Sequence, residues 1–241
     1  MAAPQLVIQP VSEHLSLTDK SYDILKNAIA SMDIYADDAQ LKMDERKLSR
    51  QLGISRTPLR EALVRLEQEG LVTIAPRLGV FIVLKTKREV IEMITVWAAL
   101  ESMAARLLTE NATDAEIASL REIFSDFWDD GITARIDEYS DRNIKFHQTI
   151  LDLSGCQLLK ETADKLFLHM RGIRARTINE LDRAPRSIID HLSIIEALEN
   201  RDAALAERLV REHALNLAAH VEKHANYLDR PPGVPGSPSG G

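Results

Sequence analysis

The chain contains a single cysteine, Cys156, among its 241 residues. One thiol excludes an internal disulfide and any metal site built from a cysteine cluster, and it is typical of a reducing compartment. Aromatic residues are also scarce, at 5% of the chain. This scarcity favours helices that pack through leucine, isoleucine and alanine.

Long apolar runs are lacking as well. Nowhere do about eighteen apolar residues follow one another, so the sequence predicts no membrane span and no membrane partner. The first ten residues show no basic region followed by an apolar core, so we expect no secretion signal. These observations predict a cytoplasmic protein.

Acidic residues outnumber basic ones over the whole chain, whose net charge is -7, but positive charge is concentrated in one segment. Residues 42–65 carry seven basic and three acidic side chains, a local charge of +4. Phosphate attraction needs a basic face and does not need a basic protein. A pair of solvated helices with ordinary surface arginines would give the same local charge. The sequence motif is therefore needed to distinguish a DNA-binding segment from such a pair.

That segment has the pattern of a helix-turn-helix. Residues 44–52 predict a short helix, Gly53 breaks it, and a second helix begins near Ser55, with Ser55 or Thr57 as its cap and Pro58 in its first turn. The side chains that meet base edges lie at the start of the second helix. Arg56, Thr57 and Arg60 are placed there.

A hairpin follows the second helix. Residues 71–74 and 80–83 are β-branched and aromatic runs that flank a turn containing Pro76 and Gly79. A hairpin directly after a recognition helix makes a winged helix. The sequence therefore predicts a winged helix-turn-helix, backed by a first helix that includes Tyr22 and Ile29.

The remainder of the chain shows helical periodicity only. Six helices are expected, the second starting at a capping box at Thr113 and ending at Gly131, and the fifth opening at Pro185. Short links make them an antiparallel bundle, so the fold class is mainly α. The expected divisions are an arm (1–15), the winged helix-turn-helix (16–84), the bundle (85–229) and a disordered tail (230–241).

Histidines in the bundle form a second constellation. Asn143 and His147 lie four residues apart on one helix face, and His191 and His213 come from the fifth and sixth helices. Facing helices of a bundle can bring such side chains to one interior metal site. Three imidazoles and an oxygen suit zinc, with nickel or manganese as alternatives. Spacing alone equally fits surface histidines, which is the interpretation for His220 and His224.

By these motifs the chain resembles the GntR family of bacterial transcription regulators, in the FadR-like branch with the helical FCD ligand-binding domain. The resemblance runs from about Ser16 to Asp229 and is carried by DERKL at 44–48, LGISRTPLREALVRLEQEGLV at 52–72 and the wing. It implies that a homodimer reads a palindromic operator. It implies DNA contacts by Arg46, Arg56, Thr57 and Arg60 and by the wing tip with Arg77 and Gly79, and Ser55 at the start of the recognition helix completes the predicted DNA-binding set. The wing tip departs from the family's Asn-Arg-Gly, because this chain has Arg-Leu-Gly.

The resemblance also covers the histidine motifs, FHQTI at 146–150, the Asp190-His191 pair and the Glu212-His213 pair. It implies a divalent transition metal, zinc first, held by Asn143, His147, His191 and His213. Relatives mostly have aspartate at the first of these positions. They also have a pocket arginine where this chain has Trp97. The predicted effector-binding residues are Trp97, Glu101, Arg174 and His169.

The expected function is a transcriptional repressor that a small carboxylate metabolite releases from DNA, and not an enzyme. Two alternatives remain at this stage. One is a constitutive DNA-binding regulator with a structural metal. The other is a metal-dependent hydrolase, which would need a general base beside the histidines. Glu101, Asp190 and Glu212 are the carboxylates that could orient the imidazole rings by contacting them from outside the metal site.

Overall fold

We describe a computed structural model, over residues 16–127, 135–178, 180 and 183–229. The expected arm (1–15), the expected tail (230–241) and the expected helix end at Gly131 lie outside the described residues. Within the described ranges, no helix is both long and apolar enough to cross a membrane.

The N-terminal domain is a winged helix-turn-helix. Its elements are α1 (Leu17–Ser31), β1 (Lys42–Met43), α2 (Glu45–Leu52), α3 (Arg56–Gln68), β2 (Val72–Ala75) and β3 (Gly79–Ile82). The strands form an antiparallel sheet in the order β1-β3-β2. Asp44 caps α2 by accepting from the backbone N–H groups of Arg46 and Lys47, and Gly53 ends the helix at a φ of 66°. The predicted helix pair and hairpin are confirmed.

The apolar face of α3 anchors this domain. Leu59, Leu63 and Leu66 are fully buried, and Tyr22, Leu25 and Ile29 of α1 pack against the same core. The opposite face of α3 is therefore left to solvent, because one apolar stripe fixes the rotation of the helix about its own axis.

The bundle contains six α-helices in the described ranges, as the sequence predicted. They are α4 (Lys87–Asn111), α5 (Asp114–Glu122), α6 (Ile136–Leu153), α7 (Gln157–Ile178), α8 (Arg183–Glu199) and α9 (Ala203–His224). Helices α4 and α9 pack along each other more extensively than any other pair, and α4 also contacts α6, α7 and α8. Helix α4 therefore lies at the centre of the domain.

Four local predictions need correction. The strand β1 was not expected, and it pairs with β3 over two residues only. Ser55 occupies the cap position of α3 but makes no side-chain capping bond. Helix α5 stops at Glu122 and is followed by a short 3-10 helix (Ser125–Phe127). Helix α8 begins at Arg183, two residues before Pro185.

Candidate functional site

Three histidines from three helices meet in the bundle interior. His147 lies on α6, His191 on α8 and His213 on α9, and all three are buried. Their candidate ligand nitrogens lie within 4.8 Å of one another. Ring centroids are 5.3 Å apart for His147 and His191, and 4.7 Å apart for His191 and His213. The helical periodicity that predicted inward-facing imidazoles thus brings them to one point.

Each imidazole has a partner at its Nδ1 atom. Glu101 of α4 contacts Nδ1 of His147, Asp190 lies 2.9 Å from Nδ1 of His213, and the Tyr139 hydroxyl lies 3.3 Å from Nδ1 of His191. Such outer contacts fix the ring orientation and direct Nε2 towards a metal. Nε2 of His147 and of His191 are buried, and neither has a hydrogen-bond partner within the described ranges.

Asn143 adds an oxygen to this set. It lies one helical turn before His147, is buried, and lines the same small cavity as His213. Its Oδ1 atom is buried without a hydrogen-bond partner in the part of the chain that the structure describes. Buried polar atoms are normally satisfied. Unpartnered nitrogens and an unpartnered oxygen at one place therefore fit the donor set of a divalent transition metal.

Burial controls the protonation of these groups. It lowers the pKa of His147 and of His191 well below the ordinary imidazole value, so both rings are neutral, which is the form that binds metals. Burial also raises the pKa of the Glu101 carboxyl to about 7, against the opposing charge of Arg174 and the hydrogen bond from Trp97. The indole N–H of Trp97 donates to Glu101 over 2.6 Å.

Arg174 of α7 approaches the site from the other side. Its guanidinium carbon lies 5.3 Å from the centroid of the Trp97 ring, and only 4% of the residue is exposed. Burial lowers its pKa to about 10, so the side chain keeps its charge at neutral pH. Its Nε and Nη2 atoms have no hydrogen-bond partner within the described ranges. Trp97, Glu101 and Arg174 thus lie together, as the sequence analysis placed them.

The cavity beside His213 is small. Its volume is about 10 Å³, room for about one water molecule or ion. Arg183 also lines it and was not anticipated, because the fifth bundle helix was expected to open only at Pro185. Tyr139 was likewise missed, since no sequence signal distinguishes its buried hydroxyl from other helical tyrosines. Glu212 pairs with Arg208 at 3.8 Å, and no contact with the imidazoles is seen among the described residues.

The structure places His169 away from this cluster. Its Nε2 atom lies 2.9 Å from the backbone carbonyl of Glu69, the residue that ends α3 in the DNA-binding domain. Arg176, also on α7, forms an ion pair with Asp33 over 3.3 Å. Helix α7 therefore contacts the N-terminal domain with the same segment that carries Arg174. The expectation that His169 faces the metal cavity is wrong in this geometry.

His220 also differs from the expectation that it is exposed. Its side chain is 9% exposed, and its Nε2 atom lies 2.7 Å from a carboxylate oxygen of Glu180. His224 is exposed, as predicted.

The predicted DNA-binding residues of the helix pair are exposed to solvent. Arg46, Ser55, Arg56, Thr57 and Arg60 are all exposed, on or beside α2 and α3. Arg60 donates to Glu45 over 2.8 Å, a contact that ties the start of α3 to α2 and raises the pKa of Arg60.

The wing carries Arg77 and Gly79 at its tip. Arg77 is exposed and has a φ of 66°, a left-handed conformation that is uncommon outside glycine. Gly79 has a φ of 120°, and a Cβ added there would approach Cε of Lys42 to 3.3 Å. The tight turn at the tip therefore depends on Gly79, and it presents Arg77 to solvent.

These features define a class of protein, a winged-helix regulator with a helical ligand-binding domain. Family profiles agree with the geometry: "Bacterial regulatory proteins, gntR family" matches residues 17–82, and "FCD domain" matches residues 92–216. The chain belongs to the GntR family of transcriptional regulators, with an FCD domain.

Individual relatives support the same assignment. The chain is 33% identical to the Nta operon transcriptional regulator of Aminobacter aminovorans, over 78% of this chain and 84% of that protein. It is 23% identical to the HTH-type transcriptional repressor RspR of Escherichia coli (strain K12), over 75% and 79% respectively. The solved structure of E. coli McbR/YncC superposes with a TM-score of 0.72 at 24% identity, covering 88% of this chain and all of that one, which shows a shared fold.

Proposed function

We propose that the protein is a DNA-binding transcriptional repressor that a small organic acid releases from its operator. A buried metal site in the FCD domain would bind the acid. The observation that carries this proposal is a group of buried metal-donor atoms of His147, His191 and Asn143 that have no hydrogen-bond partner among the described residues, near the likewise unpartnered Nε and Nη2 atoms of Arg174.

The DNA-binding half follows from the exposed face of α3. Arg56 and Arg60 extend from the first turns of that helix, where a helix-turn-helix protein meets base edges in the major groove. Arg46 on α2 and Arg77 on the wing are placed for contacts that fix the register on the duplex.

A homodimer would read the two halves of a palindromic operator. Helix α4 supports this oligomeric state, since it exposes Val96 and Met103 two turns apart on its outer face. Exposed apolar side chains at that spacing suit a helix that packs against a partner. Light scattering on the purified protein measures the state directly.

The residues that would hold the metal are His147, His191 and His213 through nitrogen, and Asn143 through oxygen. A bound divalent ion supplies positive charge and open coordination positions that suit a carboxylate oxygen. The chain's own residues do the rest: Glu101, Tyr139 and Asp190 orient the imidazoles, and Arg174 adds a fixed positive charge.

Coupling between the two domains would run through α7. That helix carries Arg174 at the cavity and holds the DNA-binding domain through His169 and Arg176. The cavity has room for about one water, so an acid can enter only if its walls move. A ligand shifts a conformational equilibrium by its difference in affinity for the two states. Movement of α7 would change the shape of the cavity and the position of the DNA-binding domain together.

A constitutive regulator with a structural metal is the second candidate, and the small cavity volume favours it. A hydrolase is less well supported, because Glu101, the carboxylate nearest the site, already contacts His147 and Trp97. The matched relatives are also transcriptional regulators.

One experiment separates the first two candidates. Metal-loaded protein is bound to its operator fragment in a gel shift and titrated with a panel of carboxylic acids. Release by an acid, lost in a His191→Ala protein, supports the sensor. Operator binding that no acid changes, at full metal occupancy, supports the structural metal.

A further inference from the structure

Two arginines, from two different helices, line the same small cavity beside His213. Arg174 comes from α7, and Arg183 is the first residue of α8. The Nε atoms of both, and Nη2 of Arg174, are buried without a hydrogen-bond partner in the described part of the chain. Burial lowers the pKa of Arg174, the charge of Glu101 opposes this shift, and the charge of Arg183 adds to it, so the two arginines repel each other.

Such an arrangement is costly for the protein alone. A buried charge is tolerated when it is paired and hydrogen-bonded, and a second positive charge nearby adds repulsion. Arg174 is buried, and Arg183 is partly buried. Among the described residues, two nearby carboxylates have other partners: Glu101 contacts Trp97 and His147, and Asp190 contacts His213. Asp190 and Glu180 oppose the fall in the pKa of Arg183, yet neither hydrogen-bonds its guanidinium within the described ranges. An anion between the two arginines would relieve this cost.

The chemistry of the guanidinium group indicates which kind of anion would bind between the two arginines. Its planar fork of N–H groups matches the two oxygens of a carboxylate, and the match is strongest in a desolvated site. Arg174 already has a fixed orientation, since it lies over the Trp97 ring. Both arginines line the cavity together with Asn143 and His213, so a movement of its walls that admits an acid would place an acid group within reach of the arginines as well as of the metal donors.

We propose that the effector is a dianion, with one carboxylate at the histidine site and a second between Arg174 and Arg183. This inference rests on the proposed function and adds the number of acid groups to it. Two sets of unpartnered atoms support it: those of Asn143, His147 and His191 would hold one acid group through the metal, and the Nε atoms of Arg174 and Arg183 would bind the second.

The test compares acids of equal chain length by isothermal titration calorimetry on the metal-loaded, full-length protein. The pairs are malonate with propionate, succinate with butyrate, and glutarate with valerate. At least one diacid is expected to bind tenfold or more tightly than its matched monoacid. Phosphonoacetate, which replaces one carboxylate of malonate by a phosphonate, shows whether the arginine subsite prefers a phosphate-type group. Preference for phosphonoacetate over malonate also supports a dianion.

Variants assign the preference to the arginines. Arg183→Gln is expected to bring the affinities of the best diacid and its monoacid to within about threefold, while the metal content stays unchanged. Arg183→Lys keeps the charge and loses the fork, and is expected to retain part of the preference. Arg208→Gln is the matched control, because Arg208 lies exposed on α9, and it should leave the preference intact.

Three results would overturn the proposal, and they differ in what they leave standing. Equal binding of every pair, or a diacid preference that Arg183→Gln does not change, removes the arginine subsite but keeps an acid-sensing metal site. No binding of any acid to fully metal-loaded protein removes both the dianion and the release of the repressor by an acid.

Discussion

The DNA-binding face and the bundle interior both use arginine, but they place it in opposite surroundings. On α3, Arg60 is exposed and paired with Glu45. In the bundle, Arg174 is buried and its Nε and Nη2 atoms are unpaired within the described ranges. An exposed ion pair contributes little to stability and is readily exchanged for a phosphate. A buried, unpaired guanidinium costs free energy until a ligand satisfies it. The exposed arginine surface can therefore bind many different phosphates, whereas the buried arginine favours one anion that fits its cavity.

The largest effect is expected at the buried site. His191→Ala removes one of the proposed nitrogen ligands, so zinc should no longer stabilise the protein. A ligand present at a thousand times its Kd stabilises the folded state by about 4 kcal/mol, and this stabilisation should disappear in a thermal-shift titration. His224→Ala, on the exposed part of α9, is the matched control and should respond to zinc as the wild type does. An equal response of both variants would remove His191 from the site.

The exposed site should show a smaller but specific loss. Arg56→Ala removes a fork of donors from the first turn of α3, so operator affinity should fall roughly ten- to a hundredfold if the side chain reads a guanine. The measurement is a gel shift at fixed salt with operator and scrambled duplexes. Arg208→Ala on α9 is the control for the loss of one charge. Equal weakening on both duplexes would mean that Arg56 contacts phosphate only.

A substitution at Asn143 is expected to raise the zinc affinity, whereas the substitutions above lower an affinity. Asn143→Asp keeps the size of the side chain and adds a negative charge beside the metal donors, so zinc affinity should rise by roughly tenfold, equivalent to about 1.4 kcal/mol. Competition with a chromophoric chelator measures this change. A lower zinc affinity in the aspartate variant would show that Asn143 does not face the metal.

The smallest effects distinguish two serines at equivalent helix starts. Ser16 accepts from the Asp19 backbone in a capping box, so Ser16→Ala should cost about 1 kcal/mol of stability. Ser55 makes no capping bond, so Ser55→Ala should leave stability unchanged and weaken operator binding instead. Urea unfolding together with a gel shift separates the two outcomes. A stability loss at Ser55 equal to that at Ser16 would contradict the description of Ser55 as free for DNA.

Prediction from the sequence was most successful for helices with one periodic apolar face, because that face determines which side chains point inward. The apolar stripe of α3 fixed both its buried face and its exposed arginines, and helical spacing turned His147, His191 and His213 inward. The sequence could not predict the contact partner of a side chain when that partner lies on another element. Periodicity gives the face of His169 but not what lies opposite, which is the carbonyl of Glu69.

Local sequence rules explain the other differences. Pro185 suggested the first residue of α8, yet the helix starts at Arg183. The N–H groups of the first turn have no intrahelical acceptor, so proline at the third residue loses no hydrogen bond. That shift hid Arg183 as a cavity residue. The strand β1 was missed because two residues carry no alternation, and its pairing with β3 depends on a partner some forty residues away.

The metal content of the purified, untagged protein tests the central claim most directly. Elemental analysis after dialysis should find close to one equivalent of zinc, nickel or manganese per chain, because the imidazole nitrogens and the Asn143 oxygen are arranged for it. A protein that holds no metal, and takes up none when soaked in any of the three ions, would contradict the account.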